Sequence, residues 1–159
     1  MSFLRFLMLL TLIVWIGGIL FFAFVEAPTL FAVLPTTKLA GDVVRASLIK
    51  LHSMGLIASI VFLICSLLYN RISKAQLKPF MLSHIFIALM LALTMYSAFS
   101  IMPRMDQMRN YFWGQGDVHP GMQAEFDRLH KWTTRLESGV LLLGLGVVIL
   151  TARRFESSK

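Results

Sequence analysis

The chain is poor in charge and nearly devoid of cysteine. Of 159 residues, eight are acidic and fifteen are lysine or arginine, so only 14% are charged. Ordinary soluble domains carry about 25%. A chain of this size that is 57% hydrophobic cannot hide that much apolar surface from water, which excludes a water-soluble globular domain. The single cysteine, Cys65, excludes an internal disulfide and reads as a small core hydrophobe. No G-x-G-x-x-G, P-loop, C-x-x-C, nucleophile elbow or H-E-x-x-H occurs, so nucleotide-driven and hydrolytic chemistry finds no support. The formal net charge of +7 comes from basic residues flanking apolar runs, without the aromatic interleaving of a nucleic-acid surface. It fits anionic lipid headgroups, so the bilayer is the expected partner and nucleic acid is not.

What the chain does have is four long apolar runs. About 20 apolar residues at about 1.5 Å each cross a hydrocarbon core of about 30 Å. The runs cover residues 3–34, 51–69, 80–101 and 133–151. The expected fold is therefore an all-α integral membrane protein, a four-transmembrane-helix bundle forming one domain over residues 1–159. Residues 35–50 and 102–132 are then outer connectors, with an amphipathic segment over 39–50, and 70–79 is the inner connector. The first run is too long for a signal peptide and lacks a convincing cleavage site, so it reads as a retained anchor. Four spans put both termini on one side. The short connector 70–79 holds Arg71, Lys74 and Lys78 and no acid, which places it and both termini in the cytoplasm of a bacterial inner membrane.

The chain repeats itself weakly. Pro28 ends one span and "IKLHSMGLIAS" opens the next; Pro103 ends another and "DRLHKWTTRLES" opens the last. Pro28 precedes His52 by 24 positions, and Pro103 precedes His130 by 27. This spacing predicts two similar helix-pair halves. It also gathers Glu26, Pro28, His52, Pro103, Arg104 and His130 at the outer end of the bundle. Pro28 cannot donate to the carbonyl of Phe24, which frees an acceptor at that level.

His130, Thr134 and Glu137 are spaced i, i+4, i+7 on one helix face, with Arg135 pointing away. If the stripes of the second and fourth spans face inward, Glu26, His52, His130 and Glu137 converge. Ionisable groups inside a membrane are functional candidates because burying them is costly. Three readings stay open: a polar-solute or proton site; ligation of a transition metal or haem; and a structural network. In the last, the histidines bond connector carbonyls, while Glu26 and Glu137 pair with Arg104, Arg135 or Lys131. His84 lies at the opposite face and cannot share a ligand with His52 and His130. Met102, Met105 and Met108, with Met122 and His119 in the same connector, offer soft sulfurs for a copper-like ion or a packing face. Trp113, Trp132 and Tyr111 read as an outer interfacial belt. The segment from Trp113 to Gly121 is turn-rich.

The stretches "WIGGILFFAFVEAPTLFAVLP", "LIKLHSMGL", "IMPRMDQMR" and "EFDRLHKWTTRLESG" resemble, in order, the bacterial members of the transmembrane protein 205-like family, a four-span domain of unknown function. Thr133 and Thr134 stand where that pattern has a serine. The family is similar at a distance to the copper resistance protein D membrane domain and to HemJ-type protoporphyrinogen oxidases. This resemblance implies a four-helix core with histidines near metal or haem, and the eukaryotic members' link to platinum-drug tolerance implies metal handling. The expected function is binding or moving a small solute or copper-like ion at the outer Glu/His cluster, with Glu137 orienting His130 and the methionines as a capture surface. A haem-binding redox enzyme and a structural or assembly subunit are the alternatives. Because four helices make a small wall for a pore, a homodimer is expected.

Overall fold

The computed structural model of the chain describes residues 2–73, 77–115 and 120–156. Among them every regular element is helical: α1 (Ser2–Phe21), a π-helical turn π1 (Phe22–Glu26), α2 (Ala27–Val33), α3 (Thr37–Ser73), α4 (Leu77–Tyr96), a second π-turn π2 (Ser97–Ile101), α5 (Met102–Gln115) and α6 (Pro120–Glu156). Four helical stretches are long and apolar enough to cross a membrane: Ser2–Val33, Thr37–Ile72, Leu82–Phe112 and Pro120–Arg153. The chain is a multi-pass all-α membrane protein.

The expected connectors are themselves largely helical. Residues 39–50 are not a separate amphipathic piece but the first turns of α3, a helix of 37 residues. At about 1.5 Å per residue it is about 55 Å long, far more than the membrane needs. α6 is equally long, and the third span runs on through π2 into α5. The surplus turns of α3, α5 and α6 build a helical layer at the end expected to face outward, called the outer end below. Residues 116–119, which include His119 and part of the turn-rich segment, and residues 74–76 of the inner connector lie outside the described residues.

Sequence chemistry explains the breaks. Pro35 disfavours helix at Leu34, which is extended at ψ 142°, and Thr36 restarts the chain as a cap, its Oγ1 accepting from the Leu39 N–H at 3.2 Å. The two π-turns are matched. Ala27 N–H donates to Phe22 O, and Met102 N–H donates to Ser97 O, each five residues back. Each π-turn ends two residues before a proline, Pro28 or Pro103. A proline inside a helix lacks its N–H and drives its ring against the preceding turn. A π-turn widens that turn by one residue and absorbs the clash. The same device at corresponding places supports the reading of two similar halves.

α1 packs along α3 and α4 along α6, while α3 meets α4 and α1 meets α6 to close the ring. One core runs through it, with Met8, Leu12, Trp15 and Ile16 from α1, Phe62 and Cys65 from α3, Met90 from α4, and Val140 and Val147 from α6. Large apolar side chains also cover the outside, among them Phe24, Ile57, Phe99 and Leu142, as lipid contact requires. A smaller cluster of Ile101, Met105 and Leu129, backed by Met108, Phe126 and Leu136, ties α5 to α6 at the outer end.

Candidate functional site

The inward stripe of α3 carries Leu48, Leu51, His52, Ala58, Ser59, Phe62, Cys65 and Ser66, all buried, at the three- and four-residue steps of a helix face. His52 is only 4% exposed. The matching stripe of α6 is Leu129, Thr133, Val140, Val147 and Thr151. Glu137 lies on the edge of that stripe, and its carboxylate Oε1 meets His52 Nε2 at 2.7 Å. The Glu137 side chain keeps 16% of its exposure.

This bond sets the chemistry of the ring. With Glu137 ionised, Nε2 must carry the proton, so Nδ1 keeps its lone pair. Nδ1 is buried and has no hydrogen-bond partner among the described residues. A carboxylate on one ring nitrogen and an open acceptor on the other is the arrangement by which second-shell carboxylates prepare a histidine for a ligand. The α1–α3 contact that seats this turn depends on a glycine: a Cβ on Gly55 would lie 2.7 Å from Trp15 Cε2.

His52 also forms part of the wall of a cavity of about 320 Å³ between α3 and the π2–α5 stretch, together with Ile49, Ser53, Leu56, Ala98, Phe99, Met102 and Pro103. Arg45 and Asp106 close its outer rim. Both guanidinium nitrogens Nε and Nη2 of Arg45 donate to the two carboxylate oxygens of Asp106. One turn away, Arg109 donates to Gly41 O at 3.0 Å and to Asp42 Oδ1 at 3.3 Å. These two rungs fasten α5 across the first turns of α3. The loss of the Pro103 N–H removes one helix donor beside Ala98 and Phe99.

The four-residue convergence expected from the sequence does not form. No three His, Cys, Asp or Glu among the described residues come together as a metal-ligating group. His52 and Glu137 meet; Glu26 and His130 do not join them. Glu26 is half-buried at the end of π1 and has no hydrogen bond or ion pair among the described residues. His130 is exposed, as is Thr134, because the buried positions Leu129 and Thr133 set the inward direction and each lies one residue, about 100°, away. Glu137 therefore orients His52 rather than His130. Nor do Arg104 and Arg135 neutralise the carboxylates: both are exposed, and Arg135 lies over the Trp132 ring at 5.6 Å. Pro28 and Pro103 are exposed, Pro103 at the wall of the cavity.

The methionines divide. Met102 is buried and lines the cavity. Met105 accepts from Thr133 Oγ1 at 3.9 Å, and Met108 packs against the α5–α6 cluster. Among the described residues these three methionines are buried or partly buried. Sequence reasoning missed the Arg45–Asp106 and Arg109–Asp42 rungs, whose signal was available: 42 and 45, like 106 and 109, are three apart, and their charges alternate in antiparallel order.

A family model described as a domain of unknown function (DUF4149) matches residues 10–111. That region holds His52, Met102 and both residues of the cavity rim; Glu137 lies beyond it. No curated protein and no solved structure matches the chain.

Proposed function

The chain belongs to the DUF4149 family, which is defined without an activity, and from the geometry above we propose that it binds or moves a small solute or metal ion on His52 at the outer end of its bundle. The observation that carries this reading is the His52–Glu137 bond of 2.7 Å beside a buried Nδ1 that has no partner among the described residues. An orphaned buried acceptor is costly, by about 1–3 kcal/mol, and a ligand that supplies the missing partner recovers that cost. The cavity, at about 320 Å³, matches the small end of ligand pockets, about 300–1,000 Å³. The dense basic connector and the even number of spans support the bacterial inner membrane with both termini in the cytoplasm. A second copy of the chain would supply the wall that four helices lack for a transport path.

A copper-like ion is a second reading, favoured by one observation: Met102 and His52 line the same cavity. Imidazole and thioether together suit a soft monovalent ion, and His52 Nδ1 and Met102 Sδ would hold it. Bound there, copper would add only a soft Lewis-acid centre. Haem fits the residues poorly. The ring nitrogen remote from the backbone, Nε2, is taken by Glu137, and Nδ1 is buried.

Native mass spectrometry from lipid nanodiscs, with elemental analysis of the same sample, tests the proposal. Wild-type protein is expected to carry a small species or a copper ion at about one per chain, absent from His52→Ala. Identical spectra for the two proteins would remove the site.

A further inference from the structure

The lipid-facing ridge of α6 changes character along its length. Arg128, Arg135, Leu142 and Ile149 recur every seven residues, a line that drifts only about 20° per step around a helix. All four are exposed. Lys131 and Trp132, also exposed, flank the line between the two arginines. Leu142 and Ile149 present apolar surface to lipid, whereas the outer turns of the same ridge present three cations and an indole. Arg153 follows Arg135 by 18 positions, about 27 Å of helix, close to the depth of a hydrocarbon core. The one charge between them, Glu137, turns inward to His52. Lys131, Trp132 and Arg135 therefore stand at headgroup level on the side of the membrane away from Arg153, with Arg128 further out.

The protein does not neutralise these cations. Arg45 and Arg109, at the same end of the bundle, are tied to Asp106 and Asp42, but Arg128, Lys131 and Arg135 make no ion pair among the described residues. Of the two nearby acids, Asp127 accepts from Gln123 at 3.1 Å and Glu125 is exposed. Arg135 lies over the Trp132 ring at 5.6 Å, a stack that steadies the guanidinium on the ridge. Lys131 and Arg135, four residues apart, are helix-surface neighbours and can meet one anion together. We propose that this ladder binds the phosphodiester of an anionic phospholipid in the adjoining leaflet, with the acyl chains lying along Leu142 and Ile149. Charge and continuity select this occupant. A zwitterionic headgroup brings its own cation against the ladder, and a free phosphate leaves the apolar half of the ridge unused.

The test releases the full chain from vesicles of dioleoylphosphatidylglycerol and dioleoylphosphatidylcholine in equal parts and reads the lipid it retains by native mass spectrometry. The two lipids share their chains and differ in headgroup charge. A basic residue beside an anionic lipid surface contributes roughly fivefold in binding, so wild-type protein is expected to favour the phosphatidylglycerol about tenfold or more. Lys131→Gln with Arg135→Gln, both at exposed positions, is expected to abolish most of that preference. Lys50→Gln with Arg104→Gln removes the same charge from other exposed positions at this end and is expected to keep it. Brominated phosphatidylglycerol is expected to quench indole fluorescence in the wild type more than in Trp132→Phe. Inorganic phosphate, compared with chloride at equal ionic strength, is expected to leave the retained lipid in place. Equal retention of the two lipids overturns the proposal. Equal loss in the two double variants overturns it too, since the attraction is then that of net charge alone. Displacement of the lipid by inorganic phosphate overturns it in favour of a small-anion site.

Discussion

At the scale of single residues, the account turns on which nitrogen of His52 is free. Glu137 holds Nε2 and leaves Nδ1 as the acceptor. Replacing Glu137 by glutamine keeps the volume but releases the tautomer and the ring orientation. Losses of such second-shell partners typically weaken ligand binding 10–100-fold, and that range is expected for Glu137→Gln in a calorimetric titration, with the helical circular dichroism spectrum intact. Both residues were legible as candidates, since ionisable groups in apolar runs stand out. Their pairing was not. His52 and Glu137 are 85 positions apart, and the helix-face argument tied Glu137 to its nearer neighbour His130. Only the buried positions around them, Leu129 and Thr133 on one side and Leu51 and Ala58 on the other, decide which way each helix faces.

At the scale of elements, small residues and prolines place the site. Gly55 lets Trp15 lie against α3 one turn from His52, and even a methyl group there forces the indole to move. Gly55→Ala is expected to destabilise by about 1–3 kcal/mol, the usual cost of overpacking. Gly17→Ala, where a Cβ meets nothing within 4 Å, is expected to be neutral or stabilising by up to about 1 kcal/mol. Thermal melts of both in the same nanodiscs separate them. The Arg45–Asp106 rung is partly exposed, 39% and 24% on its two sides, so its coupling is modest. A double-mutant cycle with Arg45→Ala and Asp106→Ala is expected to give about 0.2–1 kcal/mol, less at high salt. The prolines announced breaks in the sequence. That each break is a π-turn was not legible, because a proline alone also permits a simple kink or a helix end.

At the scale of the whole molecule, composition alone settled the class. A chain with this little charge had to cover itself with lipid, and Phe24, Ile57, Phe99 and Leu142 face outward as that requires. The four spans were readable because each apolar run is long. The length of α3 and α6 was not, since residues 37–50 and 120–132 are polar enough to pass for loops; the Arg45–Asp106 and Arg109–Asp42 rungs tie the first to α5, and the cluster of Ile101, Met105 and Leu129 ties the second to it. Because three spans separate them, Ser2→Cys and Gln107→Cys are expected to label from opposite sides of the membrane, in a Cys65→Ser background. Labelling of both from one side contradicts the four-span topology.

The most direct measurement of the central claim is the 15N spectrum of His52 in lipid bilayers, with the other histidines replaced. The account predicts a ring with its proton on Nε2 in a strong hydrogen bond, a bare Nδ1 whose resonance moves when a ligand is added, and loss of the single tautomer in Glu137→Gln. A proton residing on Nδ1, or a ring that exchanges freely with water and is indifferent to Glu137→Gln, would contradict it.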